Sequence, residues 1–314
     1  MSGHGTGTTP SDGSTVARSV CALLTCFNRR AQTLAGLAAL EGAGSQSPWH
    51  LHAVLVDDGS RDGTGEAVRR RFPWVEVIDG DGSLYWCRGM HRAFARALVQ
   101  GHDHYLWLND DTLLDADALV RLLDCHAALQ RHRDRPLIIV GSTRDEGGAR
   151  ITYGGRRRTS RWRSLTLALV RPGDEPQRVD TFDGNVVLVS AAAARLLGNL
   201  DPAFEHAMGD TDYGLRAEHL GVECWLAPGT HGRCGDNPAT GTHADPALPW
   251  RSRWRLMLGR RGLPLRSWWR FTRRHAGLLW PAYFLWPYLQ LAAAGLGWRR
   301  APTALPASER RGGR

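Results

Sequence analysis

Asn109-Asp110-Asp111-Thr112 closes the apolar run Tyr105-Leu106-Trp107-Leu108. Two adjacent carboxylates at the end of such a run are costly unless a positive group meets them. The pair therefore points to a divalent cation bridging to phosphate. Three further segments have chemistry of the same kind. Thr25-Cys26-Phe27-Asn28-Arg29 and Val56-Asp57-Asp58-Gly59-Ser60 each end an apolar run, and Gly59 permits a tight turn. The last is Asp183-Gly184-Asn185 with Gly209-Asp210-Thr211-Asp212-Tyr213-Gly214. Singly they are weak signals: Asp-Asp-Gly-Ser suits a bare turn, and Asp210 with Asp212 suits a charged helix start. Their joint order predicts one acidic cleft.

Such a cleft needs elements that bring distant segments to one edge. Strands are predicted at 20–26, 51–56, 74–78, 105–108 and 137–140, alternating with helices at 30–40, 63–71, 86–100 and 115–129. Asp residues open the last of these helices, where the helix dipole favours them. After Gly141 the pattern changes. Residues 144–178 are rich in Gly and Arg and read as a loop or hairpin region over the active face. A strand at 185–190, a short helix at 191–197, a helix at 211–220 and a strand at 222–226 follow. Residues 228–249, rich in Gly, Pro, Thr and Asp, read as a mobile loop. The expected fold class is α/β, a mostly parallel sheet with helices on both faces, and all four segments would lie on its carboxyl side.

The chain has 314 residues, a formal charge of +9 and no Lys. The charge is uneven: fourteen Arg lie from Trp250 to Arg314 against one acid, Glu309. A basic partner surface thus belongs to the C-terminal segment. Six cysteines without a Cys-x-x-Cys pair read as reduced, structural thiols. Residues 1–16 read as a disordered Gly/Ser/Thr-rich tail without a signal peptide, so a cytoplasmic location is expected. Residues 17–245 form the main domain and 246–314 a basic, Trp-rich segment. Within the latter, 276–298 carry no formal charge, but Pro281 and Pro287 interrupt them and both flanks are basic. Seven of the thirteen Trp residues lie beyond residue 249. These features favour an interfacial membrane anchor over a spanning helix, with a helical cap packed on the main domain as the alternative. Basic residues split by an apolar run suit lipid better than nucleic acid, so no nucleic-acid partner is expected.

Taken in order, Leu24-Thr25-Cys26-Phe27-Asn28-Arg29, Val56-Asp57-Asp58-Gly59-Ser60, Leu108-Asn109-Asp110-Asp111-Thr112 and Gly209-Asp210-Thr211-Asp212-Tyr213-Gly214-Leu215-Arg216 resemble the inverting glycosyltransferases of family 2, which have the Rossmann-like GT-A fold. Gly80-Asp81-Gly82-Ser83-Leu84-Tyr85-Trp86 with Gly89-Met90 is similar to a rhamnosyltransferase-like branch of surface polysaccharide synthesis. The resemblance implies Mg²⁺ or Mn²⁺ on Asp111, with Asp110 as second ligand or ribose contact. Asn109 stands where the family's Asp-x-Asp motif often has its first acid. By the same resemblance Asp57 and Asp58 hold base and ribose, with Thr25 and Asn28 beside them, and Arg88 meets the diphosphate. His231 matches a C-terminal metal ligand of some relatives. Asp210 matches the catalytic base; its usual acidic neighbour is replaced by Gly209, which leaves Asp212 as a rival.

The function so implied is transfer of a sugar from a dTDP- or UDP-linked donor to a glycan or lipid-linked acceptor in cell-surface polysaccharide synthesis. The protein would sit peripherally on the inner face of the cell membrane. Removing residues 250–314 is expected to release it from that surface. A sugar nucleotidyltransferase is the rival enzyme, though Cys26-Phe27-Asn28-Arg29 is not the Gly-rich phosphate loop it needs. A non-catalytic scaffold of the same family is the other alternative, kept open by Asn109 and Gly209.

Overall fold

The structure, a computed structural model, describes residues 18–160, 165–236 and 240–295. The expected tail, 1–16, and the end of the basic segment, 296–314, lie outside the described residues. The first half alternates as anticipated. Strands β1 (Ser19–Cys26), β2 (His50–Asp57), β3 (Val75–Asp79) and β4 (His104–Leu108) alternate with helices α1 (Arg30–Ser45), α2 (Thr64–Arg71) and α3 (Tyr85–Gln100). Helix α4 (Ala118–Gln130) follows β4.

Eight strands make the main sheet. Across it run Gln177–Val179, Glu223–Leu226, Leu137–Val140, Val186–Ser190, β4, β1, β2 and β3. Strands β4, β1, β2 and β3 are parallel neighbours, and Glu223–Leu226 is parallel to Leu137–Val140. Val186–Ser190 runs antiparallel to both its neighbours, and Gln177–Val179 antiparallel to Glu223–Leu226.

The near-continuous apolar runs of the sequence arise because both sheet faces are covered. On β1, Val20, Ala22 and Leu24 point to α1, α2 and α4, where Leu37, Leu40, Val68 and Leu122 meet them. Cys21 and Leu23 point the other way, to Met90 and Phe94 of α3 and Tyr213 of α6 (Gly209–His219). This is the period-two alternation of a strand. Helix α5 (Ala191–Leu197) packs on this second face, its N-terminus capped by the Ser190 hydroxyl accepting from Ala193 N–H.

The C-terminal segment folds into α7 (Trp250–Leu258), α8 (Leu265–His275) and α9 (Trp280–Gly295). Helix α8 buries Ser267, Trp268, Phe271, Thr272 and His275, a stripe at helical spacing, and exposes Leu265 and Trp269. Its buried stripe, with Met257, Tyr288 and Leu291, joins the same core as α3 and α6. The cap-like packing weighed above is therefore present. Among the described residues no helix is long and apolar enough to cross a membrane. All six cysteines are free and buried.

Two other segments hold short paired strands, the first as the hairpin alternative expected and the second where a mobile loop was expected. Within 144–178, Gly155–Arg158 pairs with Leu167–Leu169 and with Thr181–Phe182. The segment expected to be a mobile loop contains Gly232–Arg233, paired with Leu113–Leu114 and Thr143–Arg144.

Candidate active site

At the end of β4 the acidic loop is pressed against α1. An added Cβ on Gly36 would lie 2.7 Å from the Asp110 carbonyl oxygen, so only glycine allows this approach. Asp110 is buried, and its Oδ2 accepts from the Thr33 hydroxyl at 3.1 Å. Its Oδ1 accepts from Arg29 Nη1 at 3.1 Å, and the same nitrogen reaches Asp111 Oδ2 at 2.8 Å. Burial raises the Asp110 pKa to about 6; the Arg29 charge pulls it down and Asp111 pushes it up. Asp111 keeps 29% side-chain exposure, and Cys234 Sγ stands 3.5 Å from its Oδ1.

The β2 segment serves the loops around it. Asp58 is buried and accepts from the backbone N–H groups of Gly82, Leu84 and Tyr85 at 2.9, 3.0 and 2.9 Å. It fixes the start of α3, where an anion suits the unsatisfied N–H groups. Asp57 accepts from Ser60 N–H at 3.0 Å, and its Oδ2 would sit 2.6 Å from a Cβ on Gly65 at the start of α2. Asn28 ties the two turns together, its N–H donating to Ser60 Oγ at 2.9 Å and its Oδ1 accepting from Arg61 N–H at 2.7 Å. Thr25 is buried under α3, where a Cβ on Gly89 would lie 2.2 Å from its Oγ1, and its hydroxyl donates to the Val56 carbonyl.

Across Trp86 from the acidic loop, Asp210 lies in the first turn of α6 and is half-buried. Its Oδ2 accepts from Gly184 N–H at 2.9 Å and its Oδ1 from Thr211 N–H at 2.7 Å. Burial and the Asp183 charge raise its pKa to about 6. Asp183 in turn accepts from Arg156 Nε at 2.7 Å. The two halves of the site are joined by Trp86. Its indole Nε1 donates to Asn109 Oδ1 at 2.7 Å, and its ring lies 2.5 Å from where a Cβ on Gly184 would stand. Asn109, Trp86, Gly184 and Asp210 are thus contiguous. The three non-glycine residues with left-handed backbone among those described, Asn28, Tyr85 and Met208, all flank this edge. Such conformations are costly and concentrate at functional sites.

Three of the expected site residues have surroundings of their own. Asp212 is not a rival base: it is fully buried, with its carboxylate shared by Arg216 Nε at 2.9 Å, His275 Nε2 at 2.9 Å and the Arg274 guanidinium. Burial alone would raise its pKa, but the His275 bond and the two guanidinium charges outweigh that and hold it below the usual carboxylate range. Such an acid joins helices. His231 lies near Asp115 and Arg121, and among the described residues both of its buried ring nitrogens are without a hydrogen-bond partner. Its ring is buried, burial lowers its pKa to about 4, and among the described residues no three His, Cys, Asp or Glu side chains form a metal-holding group. Cys234, three residues on, is the side chain that reaches Asp111. Arg88, expected to meet the diphosphate, donates to the Pro202 carbonyl and pairs with the Glu205 carboxylate.

The sequence reading gave no role to Arg29, Trp86 or Cys234. Arg29 stands inside the first segment and Trp86 directly after Leu84-Tyr85, so both were within the quoted motifs. Cys234 carries no local signal, because only the pairing of Gly232–Arg233 with Leu113–Leu114 brings it to Asp111. Gly209 in place of an acid has a packing cause: a Cβ there would lie 2.3 Å from Cys87 Sγ of α3.

Comparison with known proteins bears on the fold and the family. No curated protein sequence matches the chain. Among solved structures, a mannosyltransferase from Pyrobaculum calidifontis, in complex with GDP-Man and Mn²⁺, superposes with TM-score 0.51 at 17% identity, over 90% of this chain and 75% of that one. S. aureus TarS 1-349 gives TM-score 0.47 at 13% identity over 69% and 60%; GalNAc-T7 with UDP, GalNAc and Mn²⁺ gives 0.49 at 13% over 89% and 52%. The fold is the mixed α/β, GT-A-like one. Residues 21–194, more than half the chain, match one family throughout the β1–β4 acidic edge. The chain belongs to glycosyl transferase family 2.

Proposed function

We propose that the protein is an inverting sugar transferase, taking a sugar from a nucleoside diphosphate donor, dTDP- or UDP-linked, to a glycan or lipid-linked acceptor in cell-surface polysaccharide synthesis. One observation carries this reading. The acidic pair Asp110–Asp111 and the half-buried Asp210 are linked through the contiguous Asn109–Trp86–Gly184 contacts at one edge of the sheet, and this contiguity supports a shared site.

Asp110 and Asp111 are the residues that would hold Mg²⁺ or Mn²⁺. Their fit rests on two carboxylates converging on a single positive group. One or two carboxylates with substrate phosphates are a usual set for Mg²⁺. When bound, the ion supplies Lewis-acid stabilisation to the leaving diphosphate. The chain's own groups do the rest. Phe27, half-exposed after β1, offers a face for the base, and Asp57 ends the neighbouring strand β2. Asp210, ionised above a pKa of about 6, takes the acceptor hydroxyl's proton as that oxygen attacks opposite the leaving group. Two backbone N–H groups fix its carboxylate and leave lone pairs for the hydroxyl.

Membrane association is part of the proposal. Leu278, Leu279, Leu285, Trp286 and Leu289 are exposed apolar side chains, and Arg273 lies over the Trp269 and Trp280 rings of the same segment. Such a surface suits the inner face of an anionic membrane, with each nearby arginine contributing roughly 1 kcal/mol.

The experiment is a donor screen of nucleoside diphosphate sugars with purified protein and Mg²⁺ or Mn²⁺, reading released nucleoside diphosphate and the anomeric configuration of the product. Inverted product, abolished by Asp111→Ala and by Asp210→Ala, supports the reading. Retained configuration, or turnover unaffected by Asp210→Ala, overturns it.

A further inference from the structure

One nitrogen, Arg29 Nη1, stands 3.1 Å from Asp110 Oδ1 and 2.8 Å from Asp111 Oδ2. A single positive charge therefore sits between two carboxylates, at the point where a divalent ion would meet both. The remaining oxygens are held from behind. Asp110 Oδ2 accepts from the Thr33 hydroxyl, and Asp111 Oδ1 faces Cys234 Sγ, which itself accepts from Asn185 Nδ2 at 3.3 Å. Each carboxylate thus turns one anchored oxygen to the protein and one to Arg29.

Arg29 itself is fixed at its root and free at its tip. The preceding residue, Asn28, is locked in a left-handed turn by Ser60 and Arg61, whereas the Arg29 side chain is 44% exposed. A long stem leaving a rigid turn lets the guanidinium move without disturbing β1 or α1.

We propose that Arg29 is an internal counter-ion. It holds the acidic pair together until a divalent cation arrives, yields both oxygens to that ion, and then presents its guanidinium to the diphosphate of the donor. The logic is electrostatic. Two neighbouring carboxylates repel unless a cation lies between them. A planar guanidinium is suited to phosphate oxygens once it is released. Metal and donor would then bind in a favoured order, the ion first. This inference rests on the reading of Asp110 and Asp111 as the cation-holding pair, and it makes a demand that reading does not. Arg29 must oppose the ion when no nucleotide is present and favour the nucleotide when the ion is.

The test is Mn²⁺ titration of the full-length protein at pH 8, followed by the electron paramagnetic resonance of free Mn²⁺, for wild type, Arg29→Met, Arg29→Lys and Asp111→Ala. Without nucleotide, Arg29→Met is expected to bind Mn²⁺ roughly tenfold or more tightly than wild type, because no guanidinium competes for the two oxygens. Arg29→Lys, which keeps the charge, stays within about threefold of wild type. With Mn²⁺ saturating, the affinity for UDP or dTDP should fall roughly tenfold in Arg29→Met. Mn²⁺ affinity that is unchanged or weaker in Arg29→Met overturns the counter-ion role while leaving the metal reading intact. If wild type and Arg29→Met both take up no Mn²⁺, with or without nucleotide, both ideas fall. A crystal of the wild type grown with Mn²⁺ gives a check independent of any variant. Arg29 should have left both carboxylates, and an ion on Asp111 with the Arg29 bridge still in place overturns the proposal.

Discussion

Three aspartates show how neighbours decide what a carboxyl can do. Asp210 and Asp110 are raised to about 6 chiefly by burial, whereas Asp212, two residues from Asp210, is lowered by a histidine and two arginines. A base must be ionised to accept a proton, so kcat/KM is expected to fall as pH drops below about 6 and to level off above it. Asp210→Asn should lower kcat by roughly 10²–10⁴-fold. The same change should stabilise the fold at pH 8. The native carboxyl binds its proton more tightly than the unfolded one, so its burial costs stability once pH has risen through about 6 and costs little below the usual aspartate range. The Tm advantage of Asp210→Asn should therefore be present at pH 8 and vanish near pH 4. Asp212→Asn is the opposite case. Its ionised form is favoured by folding, and losing that charge leaves Arg274 and Arg216 without their buried partner, a loss of about 3–5 kcal/mol. Thermal melts of the two variants at pH 8 separate base from strut: one Tm rises and the other falls. The sequence alone kept both acids open because burial and ion pairing depend on α8, sixty residues away.

At the scale of elements, the acidic edge depends on close approaches that only glycine allows. Gly36 admits the β4 loop to α1, Gly89 admits α3 to Thr25 of β1, and Gly209 admits α6 to Cys87 of α3. Gly209→Ala is expected to cost about 1–3 kcal/mol by overpacking. Cys87→Ala combined with it should restore more than half of that loss, because the clashing sulfur is gone. Additive losses in denaturant unfolding of the two single variants and the double would show that the contact does not govern the packing. The strands and helices from β1 to α4 were legible within one to three residues, because covered parallel strands write themselves as apolar runs; the exception is α1, which runs five residues past its expected end at 40. Helix α6 was expected to begin at Thr211 and begins at Gly209, which places Asp210 inside its first turn. A glycine after the left-handed Met208 looks like a loop in sequence. The two-residue strand Gly232–Arg233 and the arginine-rich Gly155–Arg158 carry too little periodicity to be read locally; their partners across the fold define them.

For the whole molecule, the basic C-terminal segment is both surface and structure. Its arginines were expected to form a partner face, but several of them pair with acids of the main domain. Arg270 and Arg274 pair with Asp201, Arg274 also with Asp212, and Arg260 with Glu205. His275 and Arg274 thereby fasten α8 to the helix that carries Asp210. This changes what removal of residues 250–314 would measure. The shortened chain would expose the core face that meets Trp268 and Phe271, and it would leave Asp212 buried with Arg216 as its remaining described cation. A loss of about 3–5 kcal/mol from the broken ion pairs alone should lower Tm by roughly 10 °C or more. Transfer activity should then fall even toward a soluble acceptor, where no membrane is needed. Membrane docking is better isolated at the exposed residues of α9 and of the 3-10 turn before it, Gly277–Leu279. Leu278→Ser with Trp286→Ser touches nothing in the core and should leave Tm within about 1–2 °C. It should still weaken sedimentation with vesicles containing anionic lipid. If that pair co-sediments as well as wild type, the apolar face of α9 is not a lipid contact. If the shortened chain keeps its Tm, the ion pairs of Asp212 do not join α8 to α6.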